Sequence, residues 1–168
     1  TINSKNGNIV LTGNPSGTGV ASNKTGSGIS LDAATLDAGD GGIMLRGEGR
    51  GAANASGVSL INSSVVKSSG GTISITGNNA DTSALANQTG VSIASSSLVN
   101  ASGANNVTVT GTSGAGTGVG NAGVIVQSGA RVSATNGALT VVGTSVSAGD
   151  QAIGVLVTGG NSKIDSTG

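Results

Sequence analysis

Residues 72–77 read TISITG. Ile73 and Ile75 flank Ser74, so the two isoleucines share one side of an extended chain, and Gly77 ends the run. That alternation has the period of two expected of a half-buried strand. The same unit recurs along the chain as GNIVLTG at 7–13, GIMLRG at 42–47, NVTVTG at 106–111 and ALTVVG at 138–143. Its central residues Leu11, Leu45, Ile75, Val109 and Val141 lie 34, 30, 34 and 32 positions apart.

A second unit follows each copy of the first. It reads GISL at 28–31, GVSL at 57–60, GVSI at 90–93, GVIV at 123–126 and GVLV at 154–157. A third, weaker unit comes within about seven residues of the second and carries Leu36, Val65, Leu98, Val132 and Ile164. Gly, Asn and Ser punctuate the units as turns, and no stretch carries the i, i+3, i+4 spacing of a helix. Three short strands per repeat, kept in one order through five repeats, predict an all-β fold. The expected architecture is a right-handed parallel β-helix, or β-solenoid, of about five coils with three short strands each.

In such a stack every strand pairs in parallel with its equivalent in the next coil. Five aliphatic columns are then expected. Two run through the second unit, Ile29/Val58/Val91/Val124/Val155 and Leu31/Leu60/Ile93/Val126/Val157. Two run through the first, Ile9/Ile43/Ile73/Val107/Leu139 and Leu11/Leu45/Ile75/Val109/Val141. The fifth is Leu36/Val65/Leu98/Val132/Ile164 in the third unit. No coil buries its apolar face alone, so stability comes from stacking of neighbours. At the interstrand spacing of a sheet, five coils make a rod of roughly 24 Å.

Composition narrows the function. The 168 residues include no Phe, Trp, Tyr, Cys or His, and 32 are Gly. Without Cys or His, the usual zinc, haem, iron–sulfur and thiol sites are not expected, nor is Ser-His-Asp chemistry. Without aromatics there is no platform for stacking bases. Seven basic residues balance seven acidic ones, which leaves no electrostatic footprint for nucleic acid. No apolar run is long enough for a membrane-spanning helix, and no membrane insertion is expected. No cofactor and no metal is expected either.

The spacing between units is uneven. From the first unit to the second, Leu11 to Ile29 is 18 residues, Leu45 to Val58 is 13 and Ile75 to Val91 is 16. That edge is where recognition loops are expected. Ile2 fits the third column, and the chain stops just after Ile164 in the same column. Residues 1–168 therefore read as a single solenoid segment from a longer array, with neighbouring coils of the parent chain as its partners.

The repeat G-N-I-x-L-T-G, a Gly/Asn-rich loop, G-V-x-L and then S-x-V-x-S-x-x-G resembles the repeats of filamentous-haemagglutinin-like proteins. Residues 7–13, 57–60 and 72–77 carry the likeness, which extends over nearly the whole chain. That family consists of large exoproteins of Gram-negative bacteria, many exported by two-partner secretion. The resemblance implies an extracellular or cell-surface location and adhesion to host cells, other bacteria or biofilm matrix. A glycan or a surface receptor is then the expected partner. It supplies no motif-matched binding residues.

Several local motifs bear on chemistry. Gly118, Gly120 and Gly123 form a literal G-x-G-x-x-G, but it precedes a strand rather than opening a helix, the wrong setting for a dinucleotide. Asp32, Asp37 and Asp40 cluster near Gly41-Gly42, yet their spacing fits no calcium loop and reads as solvated turns. Glu48 and Arg50 read as an exposed ion pair. Glu48 with Asp40 is the nearest carboxylate pair in sequence for glycoside hydrolysis. Asparagine sequons fall at Asn23, Asn54, Asn62, Asn87, Asn100 and Asn106. Thr12, Thr76 and Thr110 form an outward ladder that Arg46 and Val142 interrupt, which argues against an ice-binding face. No catalytic, cofactor or metal residue is assigned. The sequence favours a structural, adhesive stalk and not an enzyme; a self-assembling fibre subunit and a polysaccharide-processing β-helix remain as alternatives.

Overall fold

The computed structural model describes residues 1–13 and 26–167. Residues 14–25 of the link after Leu11, with the sequon at Asn23, lie outside them. The described residues form sixteen strands and no helix, arranged as a β-solenoid of about five coils.

The three repeated units become three parallel sheets. The first sheet stacks Ile9–Gly13, Ile43–Gly49, Ile73–Asn79, Val107–Thr112 and Leu139–Thr144. The second stacks Ile29–Asp32, Ser56–Ile61, Thr89–Ile93, Ala122–Gln127 and Ile153–Thr158. The third has six strands: Ile2–Asn3, Thr35–Asp37, Val65–Ser68, Leu98–Ala101, Arg131–Thr135 and Lys163–Thr167. Every strand pairs with its equivalent one repeat away, so the sheet ladders run along the stack.

The four aliphatic columns of the first two sheets stand in the expected register. Ile73 pairs with Ile43 and Val107, and Val91 pairs with Val58 and Val124. Their central members, such as Leu45, Leu60, Ile75 and Val109, are fully buried.

The third column needs a correction. Its line in register is Ile2, Leu36, Val66, Val99, Val132 and Ile164, not one through Val65 and Leu98, and it is buried from Leu36 to Val132. Val66 and Val99 are fully buried, whereas Val65 and Leu98 pair with Thr35 and Arg131 on the other face. The turn before the strand explains the slip. In the coil of Leu36 a single residue, Ala33, takes a positive φ. In the next two coils adjacent pairs do so, Asn62-Ser63 and then Ser95-Ser96. Each extra left-handed residue lengthens the turn by one and shifts the alternation of the following strand to the other face.

The same sheet carries an inward column of small residues at Ser68, Ala101 and Ala134, which pair in sequence. Ser64 and Ser97 are buried at the preceding corner. There the Ser97 hydroxyl accepts from Ser64 N–H at 3.2 Å and the Ser64 hydroxyl accepts from Ala34 N–H at 3.1 Å. Hydroxyls thus satisfy backbone donors that the turn withdraws from the ladder.

The first and second sheets pack against each other, and their separation collapses at two glycine columns. Gly13, Gly47, Gly77, Gly111 and Gly143 are in register in the first sheet. A Cβ on each would lie 1.9–2.1 Å from the carbonyl oxygen of Gly28, Gly57, Gly90, Gly123 or Gly154 in the second. In return, a Cβ on Gly28, Gly57, Gly90 or Gly123 would lie 2.2–2.3 Å from a backbone nitrogen of the following coil's first sheet. Only hydrogen fits at these positions. The two columns interlock and close the aliphatic interior along one edge.

Candidate functional site

Beyond the glycine columns the chain continues as loops before it returns. The described loops span 50–55, 80–88, 113–121 and 145–152. They are the variable edge on which recognition was expected. In the structure they are stacked on one another and carry a polar interior of their own.

Backbone bonds join loop to loop. Asn54 N–H donates to Ala86 O at 3.0 Å, Asn87 N–H to Val119 O at 3.0 Å, and Gly120 N–H to Asp150 O at 3.3 Å. These three donors and Gln151 all have positive φ, so one left-handed position recurs from coil to coil. Side chains add to the stack. Asn79 Nδ2 donates to Ala55 O at 2.9 Å, and Asn121 Oδ1 accepts from Gln88 N–H at 2.8 Å. The hydroxyls of Ser113 and Ser145 meet at 3.1 Å. Asn79, Gln88, Ser113 and Asn121 are all buried.

Gln88 stands apart within this lobe. Its Nε2 donates to Ala52 O at 3.0 Å. Its Oε1 is buried without a hydrogen-bond partner among the described residues, which costs about 1–3 kcal/mol of desolvation.

Gly118, Gly120 and Gly123 belong here. A Cβ on Gly118 would lie 1.9 Å from Leu85 O, one on Gly116 1.6 Å from Ser83 O, and one on Gly114 2.9 Å from Asp81 O. The alternating glycines at 114, 116 and 118 let this loop lie directly on the backbone of the loop below. Gly123 belongs to the interlocking column. The G-x-G-x-x-G is thus a stacking device.

The acidic candidates are dispersed. Asp32 accepts from Asn62 Nδ2 at 2.7 Å. Asp37 pairs with Lys67 at 3.0 Å and accepts from Gly39 N–H at 3.0 Å. The Gly39 bond and the Lys67 ammonium hold its carboxyl below the usual range. Asp40 N–H approaches Asn6 Oδ1 at 3.4 Å. Among the described residues no group of three His, Cys, Asp or Glu is placed to hold a metal ion. Glu48 is bound by Arg50 through Nε at 3.2 Å and Nη2 at 3.0 Å. With Arg46, Thr76 and Asn78 it borders a shallow hollow of about 140 Å³.

Asp81 was not singled out by sequence. It accepts from Gly51 N–H at 2.7 Å and from Ser83 N–H and Oγ at 2.7 and 2.5 Å, tying two loops together. Burial acts to raise its carboxyl pKa, but those bonds and the Arg50 charge outweigh it and hold it below the ordinary value.

The sequon asparagines work across coils. Asn87 Nδ2 donates to Asn54 Oδ1 at 2.8 Å, Asn100 Oδ1 accepts from Ser133 Oγ at 2.8 Å, and Asn106 Oδ1 accepts from Ala138 N–H at 2.9 Å. Asn54 and Asn87 border a groove of about 240 Å³, with Thr89, Ser92 and Gln127 among its other walls. Its lining is uncharged and, apart from Ile125, polar. Thr12, Arg46, Thr76, Thr110 and Val142 do align in register on the outer face of the first sheet.

Neither protein-family models, curated proteins nor solved structures yield a significant match to this chain.

Proposed function

We propose that the chain is a rod-like structural and adhesive module, a length of stalk from a large bacterial surface or secreted adhesin. The observation that carries this reading is that strands pair in register from coil to coil along all three sheets. Even the described loops of variable length are hydrogen-bonded onto their neighbours, so a protein of low charge and no aromatics is held together coil by coil along the stack. The resemblance of its repeats to filamentous-haemagglutinin-like proteins supports the same reading, and with it an extracellular location and attachment to a glycan or surface receptor. The polar groove beside Asn54 and Asn87 is the place on the rod best suited to a neutral, hydroxyl-rich ligand.

The test is adhesion by the purified chain. Beads coated with it are incubated with bacterial and host cells and, in parallel, the soluble chain is applied to a glycan array. Saturable attachment, weakened by Asn87→Ala, is expected. Depolymerisation of an offered polysaccharide, or no attachment to any surface, overturns the adhesive reading.

A further inference from the structure

The chain has two Asn-Gly dipeptides, Asn6-Gly7 and Asn136-Gly137, and the structure treats them differently. Both lie at the corner between the third sheet and the first. At the earlier one, Gly7 N–H donates to Ser4 O at 3.0 Å, and Asn6 Oδ1 faces Asp40 N–H at 3.4 Å. At the later one, neither Gly137 N–H nor the Asn136 carboxamide has a hydrogen-bond partner among the described residues. Asn136 is exposed and has a φ of 57°. Its own N–H is anchored on Thr167 O at 3.0 Å.

We propose that Asn136-Gly137 is a site of spontaneous covalent modification, at which the chain deamidates through a succinimide. The chemistry needs only water and hydroxide. Hydroxide removes the Gly137 amide proton, and the nitrogen attacks Asn136 Cγ. A new bond forms between that nitrogen and Cγ, the Cγ–Nδ2 bond breaks, and Nδ2 leaves as ammonia with a proton taken from water. Water then opens the ring at either carbonyl, giving aspartate or isoaspartate. Glycine leaves the attacking nitrogen unshielded by a side chain. At Gly7 that nitrogen is already committed to Ser4 O, so its proton is harder to remove.

The product carries one new negative charge, and the isoaspartyl form adds a carbon to the main chain. The residues just after it are closely held, so the longer main chain shifts them against the coil below. A Cβ on Gly137 would already lie 2.0 Å from Asn105 O, and Ala138 N–H is held by Asn106 Oδ1 at 2.9 Å. Modification therefore loosens the junction between Arg131–Thr135 and Leu139–Thr144. The site acts as a one-way chemical clock on the rod.

The experiment ages the folded chain in mildly alkaline buffer beside a urea-denatured sample, then maps tryptic peptides by tandem mass spectrometry and labels isoaspartate with an isoaspartyl methyltransferase. In the folded chain, conversion at Asn136 is expected to outrun that at Asn6 several-fold. In the denatured chain the two sites react at similar rates. Asn136→Gly tolerates the positive φ, lacks the carboxamide and is expected to lose the Asn136 product while remaining folded. Equal rates at the two sites in the folded chain, or an Asn136 that stays intact while the denatured chain converts, overturns the proposal.

Discussion

Gly77 meets the carbonyl of Gly90 so closely that a Cβ at Gly77 would lie 2.1 Å from that oxygen. The contact is between backbones, so no flexible side chain can move aside. Gly77→Ala is expected to destabilise the chain by about 3 kcal/mol or more through forced separation of two sheets. Gly160→Ala is the control, because nothing lies within 4 Å of a Cβ there, and a change within about 0.5 kcal/mol is expected. Urea midpoints of the two variants decide the matter. Equal effects would mean that the glycine columns do not set the sheet separation.

Gln88 offers a sharper contrast. Gln88→Met keeps the volume, removes the orphaned Oε1 and sacrifices only the bond to Ala52 O. Those effects are each about 1–3 kcal/mol or less and oppose one another, so the variant should lie within about 1 kcal/mol of the parent. Gln88→Glu places a charge in the same buried position and is expected to cost about 3 kcal/mol or more at neutral pH. That loss should shrink on acidification, as protonation restores a neutral group. Chemical denaturation of both variants at two pH values makes the comparison.

Asp81 predicts an acid-sensitive loop stack. Its pKa in the folded chain is depressed, so the folded state binds a proton less readily than the unfolded one. Its contribution is fully present above the unfolded aspartate value of about 3.9 and is lost as pH falls through the folded value. Asp81→Asn should lower stability at neutral pH by about 1 kcal/mol and flatten the acid limb of the stability–pH curve. An unchanged acid limb would assign the pH dependence instead to two partly exposed ion pairs, Asp37–Lys67 at 3.0 Å and Arg131–Asp165 at 2.7 Å, whose carboxyls are also held below the ordinary value.

The register of the third sheet is open to a direct test. Val66→Ala empties a fully buried position and should cost about 2 kcal/mol. Val65→Ala, on the opposite face, should cost less than about 1 kcal/mol. The reverse order would restore a column through Val65.

How far the sequence could be read follows from where its alternation is unambiguous. In TISITG and GVSL each apolar residue has a polar neighbour and a glycine fixes the phase, so four columns could be placed by residue number. In the third unit Val65-Val66 and Leu98-Val99 put two apolar residues side by side, and a period of two has no phase there. Phase was set by left-handed residues in the turn, and these were Asn and Ser rather than Gly. The loops were harder. Gln88 sits among residues that usually face water, and it is buried between the 50–55 and 113–121 loops stacked on either side. The alternation Gly114, Gly116, Gly118 marks a backbone lying on backbone, but the motif read from this stretch was the overlapping G-x-G-x-x-G at Gly118, Gly120 and Gly123. Asp81 gave no signal of its role between loops: Ser83 lies two residues on in the same loop, but Gly51 is 30 residues away and meets Asp81 only when the two loops stack.

Each coil touches only the coils next to it, and equivalent residues such as Leu45 and Ile75 or Ile75 and Val109 are 30 and 34 residues apart. Tension applied along the stack therefore reaches one coil at a time. The rod should lengthen under force as a staircase, each tread releasing a single repeat while the rest hold. A module built this way absorbs a sudden pull by shedding length at its end, and recovers by rewinding onto the coils that remain as template.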